Sequence, residues 1–200
     1  MKSEALLARL LTPDVEKLRR AVATQHLEMV AHPTLIILVG LPGSGKSYFA
    51  AELVEHIPMV ILESDFLRKT LIRQPVYSNW ESVRVFRAIH ALAKELLGAK
   101  YNVILDATNL NKGHRRPLYT IAAETGAKAI VVLLNTPREI AEARLSDRLA
   151  RRDGFSDANW TVYQQLEAGF EPIKEPHFEV MSAMDISPII DKIVAEVKRE

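Results

Sequence analysis

Gly40-Leu41-Pro42-Gly43-Ser44-Gly45-Lys46-Ser47 satisfies the spacing G-x-x-x-x-G-K-[ST] at every position. Each residue type there has a chemical reason. The glycines let the main chain fold tightly and turn its N–H groups inward as an anion nest. A helix starting directly afterwards presents its positive N-terminus to the same anion. Lys46 supplies a point charge for β- and γ-phosphates, and Ser47 a hydroxyl suited to Mg²⁺. Gly40, Pro42, Gly43, Ser44, Gly45, Lys46, Ser47 and the adjoining Tyr48 are therefore the nucleotide-binding candidates. ATP is the expected nucleotide. The nearest approach to a guanine-reading Asn-Lys-x-Asp is Asn111-Lys112-Gly113-His114, which lacks the aspartate, and no Asp-x-x-Gly switch accompanies it.

Three further groups could act on a bound triphosphate. Asp65 and Arg68 stand at i and i+3, on one face of a helical turn. A carboxylate there can accept a proton from an acceptor hydroxyl, and the guanidinium can hold an anion on the acceptor or the moving phosphoryl. The plainer alternative is an aspartate favoured by a helix N-terminus beside a solvated arginine. Asp106 closes an apolar run, where a carboxylate can serve a Mg²⁺ shell or the acceptor side, or only cap a turn. Thr108 and Asn109 are expected to hold that loop by side-chain to backbone bonds. Arg144, Arg148, Arg151 and Arg152 fall at i, i+4, i+7 and i+8 on one helix face. They suit the charge that phosphoryl transfer spreads over equatorial oxygens, unless they are a solvated face neighbouring Glu142 and Asp147. Tyr77, Trp80, His114, Arg115 and Arg116 offer stacking and phosphate contacts for an acceptor groove, or belong to core and surface.

These groups need elements to hold them. The runs 35–39, 59–62, 102–105 and 129–134 are short, apolar and continuous, as strands covered on both faces are; 177–181 reads as a weaker fifth. Helices are predicted over 46–56, 64–72, 79–97, 112–125, from 138 towards 152, over 156–168 and from 187 onwards. Their signals are the capping boxes Ser78-x-x-Glu81 and Thr136-x-x-Glu139, Gly126 and Asp153-Gly154 as stops, a cap at Ser156, and Ser187-Pro188 as an opening. Strands alternating with helices imply a parallel sheet with helices on both faces, whose ligands sit beyond the carboxyl ends of the strands. Residues 1–33 read as a helical appendage to a domain over 34–200. Leu6, Leu7, Leu10 and Leu11 form one stripe, Thr12-Pro13 an N-cap with proline at the first position, and Val15, Leu18, Val22, His26 or Leu27, and Val30 recur at helical spacing.

Composition narrows the classes. The 200 residues carry 26 basic and 25 acidic side chains, a formal net charge of +1, with 48% hydrophobic and 26% charged residues. That is a globular mixture without a polybasic arm or acidic tail. A chain this long buries roughly 70% of its unfolded surface and needs no staple. The absence of cysteine excludes thiolate metal sites, thiol catalysis and disulfides. The six histidines form no His-Glu-x-x-His pair. A start charged throughout resembles neither a signal peptide nor a membrane span, so a cytoplasmic protein is expected.

Gly40 to Ser47, Asp65-x-x-Arg68, Asp106-x-Thr108-Asn109, Arg115 and the arginine helix occur in an order that resembles the kinase domain of polynucleotide 5′-hydroxyl kinases and the related zeta-toxin-like P-loop kinases. The resemblance covers residues 34–191. It implies a P-loop NTPase three-layer α/β sandwich with a five-stranded parallel sheet in the order 2-3-1-4-5. It further implies ATP and Mg²⁺ held by Lys46 and Ser47, Asp65 as general base, and Arg68 on the acceptor phosphate or transferring group. Asp106 would support the metal or the acceptor, Arg115 the acceptor, and Arg144 and Arg148 would be arginines of a lid over 144–156. The chain departs from the pattern at Phe66, where some members have a second aspartate, and in a longer 149–156 segment. The expected activity is ATP-dependent phosphotransfer to an alcohol, either a polynucleotide 5′-hydroxyl or a nucleoside, nucleotide or sugar. A reading of another class is a nucleotide-switched binding module, which would need no acceptor base.

Overall fold

A computed structural model describes residues 2–151 and 155–199, with the backbone alone for 2–11. Five strands form one parallel sheet in the order β2-β3-β1-β4-β5: β1 Thr34–Val39, β2 Val60–Glu63, β3 Val103–Asp106, β4 Lys128–Asn135 and β5 His177–Met181. Both the order and the P-loop NTPase α/β class agree with the expectation from sequence. The central β1 is buried at all six positions, which is why it reads as an unbroken apolar run. Leu35, Ile37 and Val39 enter one hydrophobic cluster, while Ile36 and Leu38 enter another on the opposite face. The first cluster is covered by α1 (Lys2–Val22), α3 (Ser64–Leu71), α4 (Asn79–Gly98) and α5 (Lys112–Thr125). The second is covered by α2 (Lys46–Val54) and α8 (Ser187–Val197). α6 (Arg138–Arg151) and α7 (Trp160–Glu167) pack together above the ends of the strands, with Ala141, Leu145 and Tyr163 buried between them.

Several local expectations need correction. α1 runs through Pro13 instead of restarting there. One missing N–H is tolerated because Val15, Leu18 and Val22 are buried in the main core, and the Arg84 guanidinium donates two 2.8 Å bonds to Asp14. The helix ends at Val22, not at Val30, and the chain then serves the sheet. The Gln25 amide donates to Ile61 O and accepts from Ile61 N, at 2.9 and 2.7 Å, covering the outer edge of β2 as a strand would. Met29 forms an antiparallel bridge with Tyr101. The cap of α7 is Asn159, whose side chain accepts from Val162 N, and Ser156 lies in the preceding loop. Thr136 does not cap α6, since Ile140 N and Ala141 N both donate to Pro137 O. The stripe Leu6, Leu7, Leu10 and Leu11, the stop Asp153-Gly154 and Arg152 fall outside the described side chains.

Ser78 accepts from Glu81 N at the start of α4 and Gly126 ends α5 at φ 65°, as their signals imply; the N-cap of α5, Asn111, which accepts from His114 N, was not read from the sequence. Among the described residues no helix is long and apolar enough to cross a membrane.

Candidate active site

Four strand ends meet at one edge of the sheet. Gly40 follows β1, Glu63 ends β2 directly opposite Asp106 at the end of β3, and Asn135-Thr136 follow β4. The phosphate loop turns at the first of these ends. Gly45 is the N-cap of α2 at φ 87°, and a side chain at Gly43, φ 79°, would lie 2.9 Å from Ala141 O. A glycine is required at both, by backbone conformation at the first and by close approach of α6 at the second. Gly40 N donates to Thr108 O, and Asn109, held at φ 48°, donates its amide to Leu38 O at 2.8 Å. The loop is thus braced from β3 as expected of Asn109. For Thr108 the main-chain carbonyl makes the brace, not the hydroxyl.

Lys46 lies across the loop, its Nζ donating to Leu41 O at 3.0 Å. Ser47 Oγ donates to Asp106 Oδ2 at 2.6 Å, and Asp106 is only 3% exposed. Burial lowers the pKa of Lys46, with Asp106 and Asp65 pulling against it and Arg148 adding to it. Burial likewise raises Asp106, against the pull of Lys46 and Ser47. The two opposite charges therefore share the cost of a dry site. Pro42 and Ser44 are buried within the loop, while Tyr48 stands exposed on the first turn of α2.

Asp65 lies in the first turn of α3, near enough to Lys46 to affect its titration. Neither its carboxylate nor that of Glu63 makes a hydrogen bond or ion pair among the described residues. Sequence reasoning missed Glu63. Burial, with Asp106 and Asp65 beside it, pushes its pKa up to about 7. A carboxylate that closes an apolar run two positions before Asp65 was the available signal.

Two predicted anion contacts are engaged within the protein, although Arg68 keeps a buried Nε without a partner. Arg68 is 5% exposed, donates from Nη1 to Glu81 Oε1 at 2.6 Å, and lies 4.8 Å under the centre of the Tyr77 ring. Glu81, read from sequence as part of a capping box, sends its second oxygen to Val76 N at 2.8 Å. Arg115 is 2% exposed and donates to the carbonyls of Asn109, Leu110, Glu171 and Pro172. It fastens the β3–α5 loop to the 171–172 segment and presents no free face to an acceptor. Trp80 and Arg116 are exposed, and His114 stacks on Phe86.

The arginines of α6 divide. Arg144 donates to Gly43 O at 3.2 Å and to Ser182 Oγ and Ser182 O at 2.9 Å each. Ser182 also bonds Thr136, whose hydroxyl reaches Ser44 O, so the residues after β4 and β5 clasp the phosphate loop from outside. No sequence motif announced Ser182. Arg148 donates to Ala158 O at 2.8 Å, keeps a buried Nε without a partner, and lies near enough to Lys46 to affect its titration. Arg151 is exposed at the end of α6.

The model of the AAA domain family matches residues 35–173, which take in the phosphate loop, Asp65, Asp106 and the arginines of α6 but not Ser182. The chain belongs to this family. Within it, the sequence resembles the L-seryl-tRNA(Sec) kinase of Methanococcus maripaludis, at 32% identity over 119 residues, covering 57% of this chain and 46% of that protein. Among solved structures it resembles a chain of the Pnkp1/Rnl/Hen1 RNA repair complex, at 27% identity and a TM-score of 0.56, covering 71% of this chain and 48% of that one. It also shares the fold of Mycobacterium tuberculosis APS kinase CysC, solved with AMPPNP and APS, at 18% identity and a TM-score of 0.62, covering 84% of this chain and 99% of that one. The chain spans less than half the length of the curated relatives it matches.

Proposed function

We propose that this protein is an ATP- and Mg²⁺-dependent phosphotransferase that moves the γ-phosphate to an acceptor alcohol, with a polynucleotide 5′-hydroxyl as the first candidate acceptor. One observation carries the reading. A phosphate loop with its lysine stands beside a carboxylate, Asp65, that no protein group occupies. A nucleotide-controlled binding module has no use for such a base. The loop amides and Lys46 hold the β- and γ-phosphates, and Arg148, with its spare N–H, faces the same region. The acceptor oxygen attacks the γ-phosphorus in line with the β–γ bridging oxygen, which leaves with ADP. Asp65 takes the hydroxyl proton as the new P–O bond forms, a contribution of about 10²–10⁴ in rate. Ser47 and Asp106 fit Mg²⁺: they are hard oxygen donors, and that ion draws its remaining ligands from water and phosphate. Among the described residues no cluster of three or more histidines and carboxylates would hold a metal unaided, in keeping with an ion that arrives with the nucleotide. The bound ion would neutralise charge developing on the phosphates.

The likeness to a chain of an RNA repair complex supports a nucleic-acid acceptor. A second reading, a small metabolite acceptor, draws on the aromatic rings beside α3, where Tyr77 lies over Arg68 and Phe155 packs on Phe66. Transfer from labelled ATP to a 5′-hydroxyl oligonucleotide and to a panel of nucleosides, nucleotides and sugars separates the two. Asp65→Asn tests the mechanism. It should lose transfer by at least a hundredfold while ATP affinity is retained, and unchanged turnover would discard Asp65 as the base.

A further inference from the structure

The wall beside Asp65 is assembled from three separate segments joined by short contacts. Residues 72–78, between α3 and α4, bring Tyr77 over Arg68, at a backbone φ of 56° that a tyrosine adopts only under constraint. Residues 155–158, before α7, come back to the same place. Phe155 packs on Phe66 of α3 with ring centres 4.7 Å apart, and Asp157 accepts from both Tyr77 Oη and Lys69 Nζ at 2.7 Å. Ala158 O accepts from Arg148 of α6 at 2.8 Å. A continuous chain therefore runs from Arg148 through Ala158 and Asp157 to Tyr77, Arg68 and Glu81. One end faces Lys46 and the other roofs the helix that carries Asp65.

We propose that Asp157 and Tyr77 are positioning residues that couple the two substrates: the bond between them ties the segment held by Arg148 to the acceptor wall, so nucleotide at Lys46 orders the wall beside Asp65. The inference rests on the phosphotransferase reading. The Arg148 Nε is buried without a partner, and its charge opposes that of Lys46. An anion between the two cations satisfies both, and it fixes Arg148 in the rotamer that reaches Ala158. That in turn fixes Asp157, and Asp157 holds the strained Tyr77 in place over Arg68. The rest of the strap is held by contacts that are partly exposed. Asp157 is about half exposed and Lys69 about a third, so these bonds are weak individually and the wall can loosen. Acceptor binding ahead of ATP would then meet a disordered wall, which favours ordered addition and suppresses futile hydrolysis.

Hydrogen exchange with and without Mg-AMPPNP tests this on the full chain, using wild type, Tyr77→Phe and Asp157→Asn. Tyr77→Phe removes one exposed hydroxyl and keeps the ring on Arg68, so folding is not at stake. In wild type, nucleotide should slow exchange both at 40–47 and at 72–78, where Val76 N–H reports on the wall through its bond to Glu81. In the variants the protection at 40–47 should persist while that at 72–78 falls at least fivefold. Equal protection of 72–78 in all three proteins would overturn the proposal, as would protection of 40–47 alone in wild type. No protection at 40–47 in wild type would instead remove nucleotide binding, and with it the reading on which the coupling depends.

Discussion

Replacing Glu81 by glutamine leaves a guanidinium stranded inside the protein. Arg68 and Glu81 are 5% and 3% exposed and meet at 2.6 Å, so neither charge has water to fall back on. Burial opposes ionisation of Glu81, but Val76 N–H and Arg68 overcome it and hold the carboxyl below its ordinary pKa. Removing one partner of a buried pair costs about 3–5 kcal/mol. The glutamine oxygen can still accept from Val76 N–H, losing only the charge assistance, about 1 kcal/mol. A total of about 4–6 kcal/mol is a large share of the roughly 5–15 kcal/mol that holds a domain folded. With a urea slope of about 2–3 kcal/mol/M, the midpoint should fall by about 1.5–3 M. The double variant Arg68→Met/Glu81→Leu discards both charges and should recover most of that loss, giving a coupling energy of at least about 2 kcal/mol. A Glu81→Gln midpoint within about 0.3 M of wild type would refute the argument, because it would mean the pair is solvated and Arg68 is free to serve an acceptor. The double variant also isolates function: once stability is restored, any remaining loss of transfer belongs to the Arg68 guanidinium itself.

Two further outcomes follow from the geometry. Burial, reinforced by His114, lowers the pKa of His90 to about 4, so between pH 6.5 and 4 the unfolded chain binds a proton that the folded one refuses. Stability should therefore fall by about 2–3 kcal/mol as pH drops through that window, and His90→Phe should flatten the thermal-melt profile there; an identical slope in the variant would count against a dry His90. Gly43→Ala forces a side chain to within 2.9 Å of Ala141 O at a φ of 79°. It should weaken Mg-ATP binding by tenfold or more in calorimetry, with an unchanged affinity showing that α6 yields at no cost.

Local chemistry made much of the sheet readable. β1, β3 and most of β4 announce themselves because a strand covered on both faces carries few polar residues, and Gly126 ends α5 because orphan backbone groups need caps. The readings that failed were all local explanations of residues whose partners are distant in sequence. Ser78 caps α4 through Glu81 N–H as read, but the Glu81 carboxylate pairs with Arg68 instead of returning to the cap, and Thr136 looks like an N-cap but bonds Ser44 O and Ser182. Pro13 looks like a helix start, yet burial of Val15, Leu18 and Val22 carries the helix through it. Arg115 looks like a phosphate ligand, but its fork is filled by four carbonyls from two segments. Each needed a contact spanning many residues, and no periodicity or spacing encodes that.

The same contrast separates the two halves of the cleft. Phosphate is gripped mainly by main-chain amides, and amides can be aimed by eight consecutive residues, so the nucleotide half is compressed into one motif. On the proposed reading the acceptor half has no such economy. Its wall would be built from α3, the 72–78 loop and the 155–158 segment, joined through Arg68, Tyr77 and Asp157. Substitutions in those segments can reshape what stands beside Asp65 without moving Lys46 or Ser47. Acceptor identity should therefore shift when residues 72–78 and 155–158 are exchanged together with those of a relative of different specificity. Exchanging either segment alone should uncouple the wall and give a protein that binds ATP and transfers to nothing. A single-segment exchange that carried the new specificity by itself would show that the wall is not a joint structure.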